Sequence, residues 1–386
     1  MARGDPTSAH KPRPPKRHTP LAARLRDTRV CICAGSGGVG KTTTSAALAL
    51  GLARRGQKVA VVTIDPAKRL ATALGLHALE GEPHRVDPAH LAAHGIELRG
   101  ELWAMTLDVK GTFDALVQSH TPDEQAREQV LSNRIYHELS SAVSGSQEFT
   151  AVSKLYDLDR AGQFDVIVLD TPPSRHALDF LDAPLRLTQF LDGRALKVFL
   201  APGGFAARLF GRGTGLVLTM FSRVTGVDLF GEMSTFFRSL ELTGMTERFS
   251  ESAHGVQALL RDPACAFLIV TSPEPEPVQE AIHLAGKLDE SGMARAGAIV
   301  NRVHSDGLRG RPEREVRALL AADLGEALAA RAAANLADFD VLVQRDRASV
   351  ARLKQALGDR DPILVPHLDV EMDLAGLVEV ERRLFA

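Results

Sequence analysis

Residues 29–65, RVCICAGSGGVGKTTTSAALALGLARRGQKVAVVTID, decide the fold of this chain. A short apolar, β-branched run opens the stretch, glycines follow, and then comes a long Ala/Leu-rich helical segment from Lys41. Gly56 is placed to end that helix, since glycine accepts the left-handed turn that closes helices, and a second apolar strand follows as KVAVVTID. Strand, loop, helix, strand is the βαβ unit of a parallel sheet. Further strand-like runs occur at LWAMTLD from Leu102, DVIVLD from Asp165, AFLIVTS from Ala266, AGAIVNRV from Ala296 and PILVP from Pro362. They are continuous apolar runs rather than alternating ones, as strands covered on both faces are. The expected architecture is α/β, a doubly wound, mostly parallel sheet. Two stretches between strands are too long for one crossover helix, so helical insertions are expected at about 111–160 and 184–262.

The composition sets bounds on function. The chain has 386 residues and a net charge of −2, with 45% apolar and 24% charged residues, ordinary for a globular protein. Its near-neutral balance argues against nucleic acid as a partner. No apolar run reaches the roughly eighteen residues of a transmembrane helix, so no transmembrane segment is expected. The three cysteines are too few for a disulfide framework, and a reducing cytoplasm fits them. Residues 1–26 begin MARGDPTSAHKPRPPKRHTP, which buries too little apolar surface to offset its ordering entropy and carries no apolar run of the secretory kind. A flexible basic tail is expected there, and a single α/β domain over 27–386.

Gly35-Ser36-Gly37-Gly38-Val39-Gly40-Lys41-Thr42 fits the pattern G-x-x-x-x-G-K-[ST], between a strand and a helix as that pattern requires. Glycines let successive backbone N–H groups point into one concavity and cradle phosphate oxygens, and the following helix adds its positive end. Gly37, Gly38, Val39, Gly40, Lys41, Thr42 and Thr43 are therefore the expected phosphate-binding residues. Lys41 is placed to reach the β- and γ-phosphates and Thr42 to hold Mg²⁺. Asp65 follows the second strand, where a carboxylate could orient the attacking water. Asp170 follows the fourth strand of this reading, where it could support Mg²⁺ through a water. Open α/β sheets bind ligands at the carboxyl ends of their strands, so these loops can converge on one crevice.

Together GSGGVGKTT, TIDPAKRL and LDTPPSRHALDFL resemble the phosphate loop and two switch loops of the ArsA-type ATPases. That group includes the arsenite-pump ATPase and a chaperone for tail-anchored membrane proteins, within the dimerising P-loop NTPases with a deviant Walker A motif. The resemblance covers about residues 27–386. It implies ATP and Mg²⁺ as cofactors, catalytic roles for Lys41, Asp65 and Asp170, and a homodimer or a heterodimer with a paralogue. Asn301, in IVNRV, matches the family's adenine-reading Asn, and Pro366, in LVPHL, lies where a loop lines the adenine.

Two departures stand out. The family's loop usually carries Lys after its first Gly, reaching across a dimer, and here that residue is Ser36. Such a cation is worth roughly 10³–10⁵ in rate, so Lys68, Arg69 and Arg175 in the switch loops are candidate replacements. The chaperone's zinc-binding C-x-x-C pair is also absent, as is a cysteine set like the pump's arsenite site. Cys31 and Cys33 share one face of the first strand and are expected to pack in the core.

Between Ala195 and Ser239 lie seven of the sixteen Phe, seven Gly, Met220 and Met233, with Asp228 and Glu232 the only acids. This stretch either packs its own core or forms a groove for a hydrophobic client helix, a use to which flexible Met and apolar faces are suited. The C-terminal LVEVERRLFA is expected to be a docked terminal helix. The function that fits is Mg-dependent ATP hydrolysis coupled to delivery of hydrophobic membrane-protein clients or to a membrane-associated partner protein. An ATPase subunit energising anion efflux and a ParA/MinD-like positioning switch are the alternatives.

Overall fold

The computed structural model describes residues 20–64, 69–76, 79, 81–107, 111, 114, 124, 128, 146–171, 245–358, 361–368 and 373–386. Its centre is an eight-stranded sheet in the order β3-β4-β2-β5-β1-β6-β7-β8. In chain order these are β1 (Val30–Ala34), β2 (Lys58–Thr63), β3 (His84–Arg85), β4 (Glu101–Thr106), β5 (Val166–Asp170), β6 (Cys265–Thr271), β7 (Ala294–Val303) and β8 (Ile363–Pro366). All neighbours pair in parallel except β3 with β4. The mostly parallel, doubly wound sheet read from the apolar runs is therefore present. The two-residue strand β3 has no apolar run to announce it, which makes Asp170 the end of the fifth strand rather than the fourth.

Every residue of β1 is buried, and its two faces feed two separate cores. Cys31 and Cys33 point to the core shared with α2 (Lys41–Arg54), α3 (Arg69–Ala73), α4 (Pro88–Ala93) and α10 (Leu374–Leu384). Val30, Ile32 and Ala34 point to the opposite core, beneath α5 (Ser146–Ala161), α6 (Met245–Arg261), α7 (Pro275–Glu290) and α9 (Glu326–Leu357). This is the two-residue alternation of a strand carried through a sheet covered on both sides. The three cysteines are free and fully buried, so they serve packing. Burial pushes the Cys265 thiol up to about 12. The contact with Cys33, and then burial, raises Cys31 as well.

Helix α2 is well covered, with eleven of its fourteen residues buried. Gly51 lets α10 close over it, since a Cβ at that position would lie 2.2 Å from the Phe385 ring. The C-terminal helix docks as expected, through Leu374, Leu377, Val380 and Leu384. Its buried Glu381 accepts hydrogen bonds at 2.7 Å from Nη1 of both Arg54 and Arg55, while the Arg55 guanidinium sits 3.9 Å from the centre of the Phe385 ring.

Residues 1–19 lie outside the described set, but the end of the expected tail does not. Leu21–Arg24 form the short helix α1, and Leu21 and Leu25 are buried in the core beside β1, so the packed chain starts before residue 27. The physical reason is visible in the sequence: two leucines four apart lie on one side of a helical turn. On the far side, α8 (Glu313–Leu324) and the 32-residue α9 form a helical pair joined at Gly325, whose φ of +74° suits glycine.

Replacing Glu381 by Ala strands two arginines that are each about a third exposed (34% and 38%). Because water reaches both, the expected loss is about 1–2 kcal/mol, below that of a fully buried pair. Urea unfolding of Glu381→Ala against the parent protein measures it.

Candidate nucleotide site

The loop between β1 and α2 begins where the backbone of β6 leaves no room. A Cβ on Gly35 would lie 1.9 Å from the carbonyl oxygen of Val270, so only glycine fits. The loop ends on Gly40, whose φ of +92° turns the chain into α2, and the carbonyl of Gly40 accepts the first helical bond from Thr44 N at 2.9 Å. Between them Gly37 and Gly38 face solvent and Val39 is buried beneath the loop. Lys41, only 6% exposed, folds back along the loop and donates to the carbonyls of Gly35 (3.0 Å) and Ser36 (2.8 Å). The first N–H groups of α2 and the Lys41 ammonium thus gather at one edge of the sheet, a positive, hydrogen-bond-donating concavity suited to phosphate.

Asp170, at the carboxyl end of β5 and 1% exposed, meets this edge from the neighbouring strand. Its Oδ2 accepts from Thr42 Oγ1 at 2.7 Å and from Thr63 Oγ1 at 2.8 Å. Thr171 ties the ends of β5 and β1 together by donating through Oγ1 to the Cys33 carbonyl at 2.8 Å. The oxygens of Thr42 and Asp170 are hard donors of the kind Mg²⁺ takes. Among the described residues there is no cluster of three or more metal-ligating His, Cys, Asp or Glu. A pair of oxygens suits an ion that keeps several waters and completes its shell with substrate phosphates.

On the other side of the loop, the pairing of β7 with β8 steps over one residue between Val300 and Val303, and Arg302 has φ +60°. This bulge lets Asn301 reach back, its Nδ2 donating to the Val39 carbonyl at 3.0 Å and its Oδ1 accepting from Arg302 N at 3.0 Å. Gly40 packs against the same amide, as a Cβ there would lie 2.3 Å from Asn301 Nδ2. Pro366 ends β8 opposite Val303, and the adjoining His367 N donates to the Val303 carbonyl at 2.8 Å.

The structure thus brings Gly37, Gly38, Val39, Gly40, Lys41, Thr42, Thr43, Asp170 and Asn301 to one edge of the sheet, with Pro366 at the same edge three strands away from β1. Asp65, Lys68, Arg175 and the Phe-rich stretch 195–239 lie outside the described residues. Arg69 is exposed at the start of α3. Two neighbours were not legible in the sequence. Ser36 donates through Oγ to the carboxylate of Glu280 on α7, so a carboxylate stands beside the position where the resemblance leads to the expectation of a lysine. Thr63 shares Asp170 with Thr42, which only the pairing of β2 with β5 reveals.

A sequence profile of the anion-transporting ATPase family matches residues 28–312. ATPase GET3 of Malassezia globosa is 25% identical over 274 residues, which are 70% of this chain and 71% of that protein. The putative arsenical pump-driving ATPase 1 of Aquifex aeolicus is 27% identical over 281 residues, 71% of this chain and 63% of its own length. A second Aquifex aeolicus protein of that designation, number 2, is 27% identical over 278 residues, covering 71% and 80%.

Gly35→Ala is expected to lose at least about tenfold in affinity for a fluorescent ADP analogue, because its methyl group must push the loop off the Val270 backbone. Titration of the analogue, with circular dichroism to establish the fold, checks this.

Proposed function

This chain belongs to the anion-transporting ATPase family, and from that membership we propose that it couples Mg²⁺-dependent ATP hydrolysis to the handling of hydrophobic membrane-protein segments. It is an ATPase of this family. The observation that carries the chemical half is the Lys41–Thr42–Asp170 constellation at the ends of β1 and β5.

In this reading the loop N–H groups and Lys41 hold the β- and γ-phosphates. The same donors face the charge that grows on the phosphoryl oxygens as the bond to the β-phosphate breaks and a bond to water forms. Asp65, one residue beyond the buried Ile64 that follows β2, orients that water and accepts its hydrogen bond. Thr42 would hold Mg²⁺, with Asp170 supporting it through a water, and the ion when bound would neutralise phosphate charge. Asn301 reads the adenine, exchanging its bond to the Val39 carbonyl for one to the base, and Pro366 lines the base from β8. With Ser36 neutral and engaged by Glu280, the cation that balances the transferred phosphoryl group comes from another residue, for which Lys68, Arg69 and Arg175 are the candidates.

The client half of the reading rests on the sequence of residues 195–239, rich in Phe, Gly and Met and nearly free of acids. A flexible apolar surface of that kind suits helix-in-groove binding. We read the protein as cytoplasmic and dimeric, with itself or with a paralogue. No described helix is long and apolar enough to cross a membrane, and the three cysteines are free.

Two measurements test this. Lys41→Ala is expected to bring ATP turnover to background, and Asp65→Asn to retain ATP binding while slowing turnover by at least about a hundredfold. Full activity in either variant removes that residue from its role. Separately, a fluorescent apolar helix of roughly twenty residues is expected to bind with an affinity that changes about tenfold between the ADP-bound and ATP-analogue states, a coupling of about 1.4 kcal/mol. No binding in any state returns 195–239 to core packing and favours the anion-pump alternative.

A further inference from the structure

The grip on Asp170 has two halves that come from different layers of the molecule. Thr42 reaches the carboxylate from the first turn of α2, above the sheet edge, at 2.7 Å. Thr63 reaches the same oxygen from within the sheet, at 2.8 Å, because the parallel register sets Thr63 opposite Asp170 and paired residues of neighbouring strands project to one face. Both Thr63 and Asp170 are 1% exposed. An aspartate alone cannot hold the plane of its carboxylate, since its last torsion joins tetrahedral to planar carbon and is soft. A β-branched donor on a strand is the opposite, stiff at χ1 and anchored by ladder bonds on both sides, here to β4 and β5.

We infer that Thr63 is a positioning residue for the Asp170 carboxylate, its hydroxyl fixing the plane in which that carboxylate meets the Mg²⁺–nucleotide shell. Thr42 has a second demand on its oxygen in the proposed function, the metal itself. Thr63 has its place set by the sheet whether or not nucleotide is present, so it keeps the carboxylate aligned while Thr42 turns to its other partner. A hydrogen bond to a charged acceptor is among the stronger kind, so its loss should be measurable in whatever depends on that alignment. The inference rests on the reading of Asp170 as the Mg²⁺-supporting residue, and the experiment separates the two.

The probe is a fluorescent ADP analogue, titrated at equilibrium with and without Mg²⁺ into the full-length protein and its Thr63→Val, Thr63→Ala, Thr63→Ser and Asp170→Asn variants. The quantity read is the gain in affinity that Mg²⁺ confers. Valine keeps the shape and strand preference of threonine, and alanine provides a second removal of the hydroxyl should valine disturb folding. The Mg²⁺ gain is expected to fall about tenfold in Thr63→Val and Thr63→Ala and to return in Thr63→Ser, while affinity without Mg²⁺ stays within about twofold in the three Thr63 variants. A full Mg²⁺ gain in Thr63→Val and Thr63→Ala overturns the inference, and so does a Thr63→Ser variant as impaired as valine, since the effect would then be packing and not the hydroxyl. If Asp170→Asn keeps the full gain, the reading of Asp170 fails first and the inference with it.

Discussion

The approach of the glycine-rich loop between β1 and α2 to the end of β6 is the contact on which the rest of the candidate site depends. At Gly35 the chain leaves β1 so close to the Val270 carbonyl that no side chain fits between them. That closeness follows from β1 standing in the middle of the sheet, paired with β5 on one side and β6 on the other. A central parallel strand has both rows of backbone groups bonded, so its end is held in place from two directions. The loop that follows inherits that position, and with it the start of α2, the path of Lys41 and the meeting of Thr42 with Asp170.

Under this edge lies a scaffold of ordinary strength. The two faces of β1 supply two cores, one beneath α2 and α10, the other beneath α5, α6, α7 and α9. Helix α2 carries the site at its first turn and is buried along most of its length, so movement of that turn would cost packing along the whole helix. The clamp of Arg54, Arg55 and Glu381 on the helix's far end holds the C-terminal helix over it. A rigid base bearing a short glycine loop is a common way for α/β proteins to place ligand-binding backbone without ordering much chain at the moment of binding.

The loop is also braced from the side. Asn301 holds the Val39 carbonyl from β7, and Ser36 is engaged by Glu280 from α7. The second contact gives the departure at Ser36 a physical sense. A short hydroxyl beside a carboxylate supplies no positive charge to a phosphate, whereas a lysine there would be drawn toward Glu280 as much as toward a nucleotide.

Much of this was legible in the residues alone. The loop pattern in its strand–helix setting, the buried apolar runs and Gly56 after α2 specify a parallel α/β sheet, because backbone conformation and burial on both faces are local consequences of composition and period. So was the docking of the terminal helix, whose apolar residues recur on one face. What the sequence could not show is register and return. The two-residue β3 has no pattern, the leucines of α1 hide behind a basic tail, and Thr63 faces Asp170 only because β2 and β5 pair across a hundred intervening residues. The bulge at Asn301 likewise turns one amide toward Val39, a choice made by the pairing of β7 with β8. Local sequence sets which elements form and which face is apolar. Which side chains meet at the edge is decided by hydrogen-bond register between strands far apart in the chain, and that is a property of the folded sheet alone.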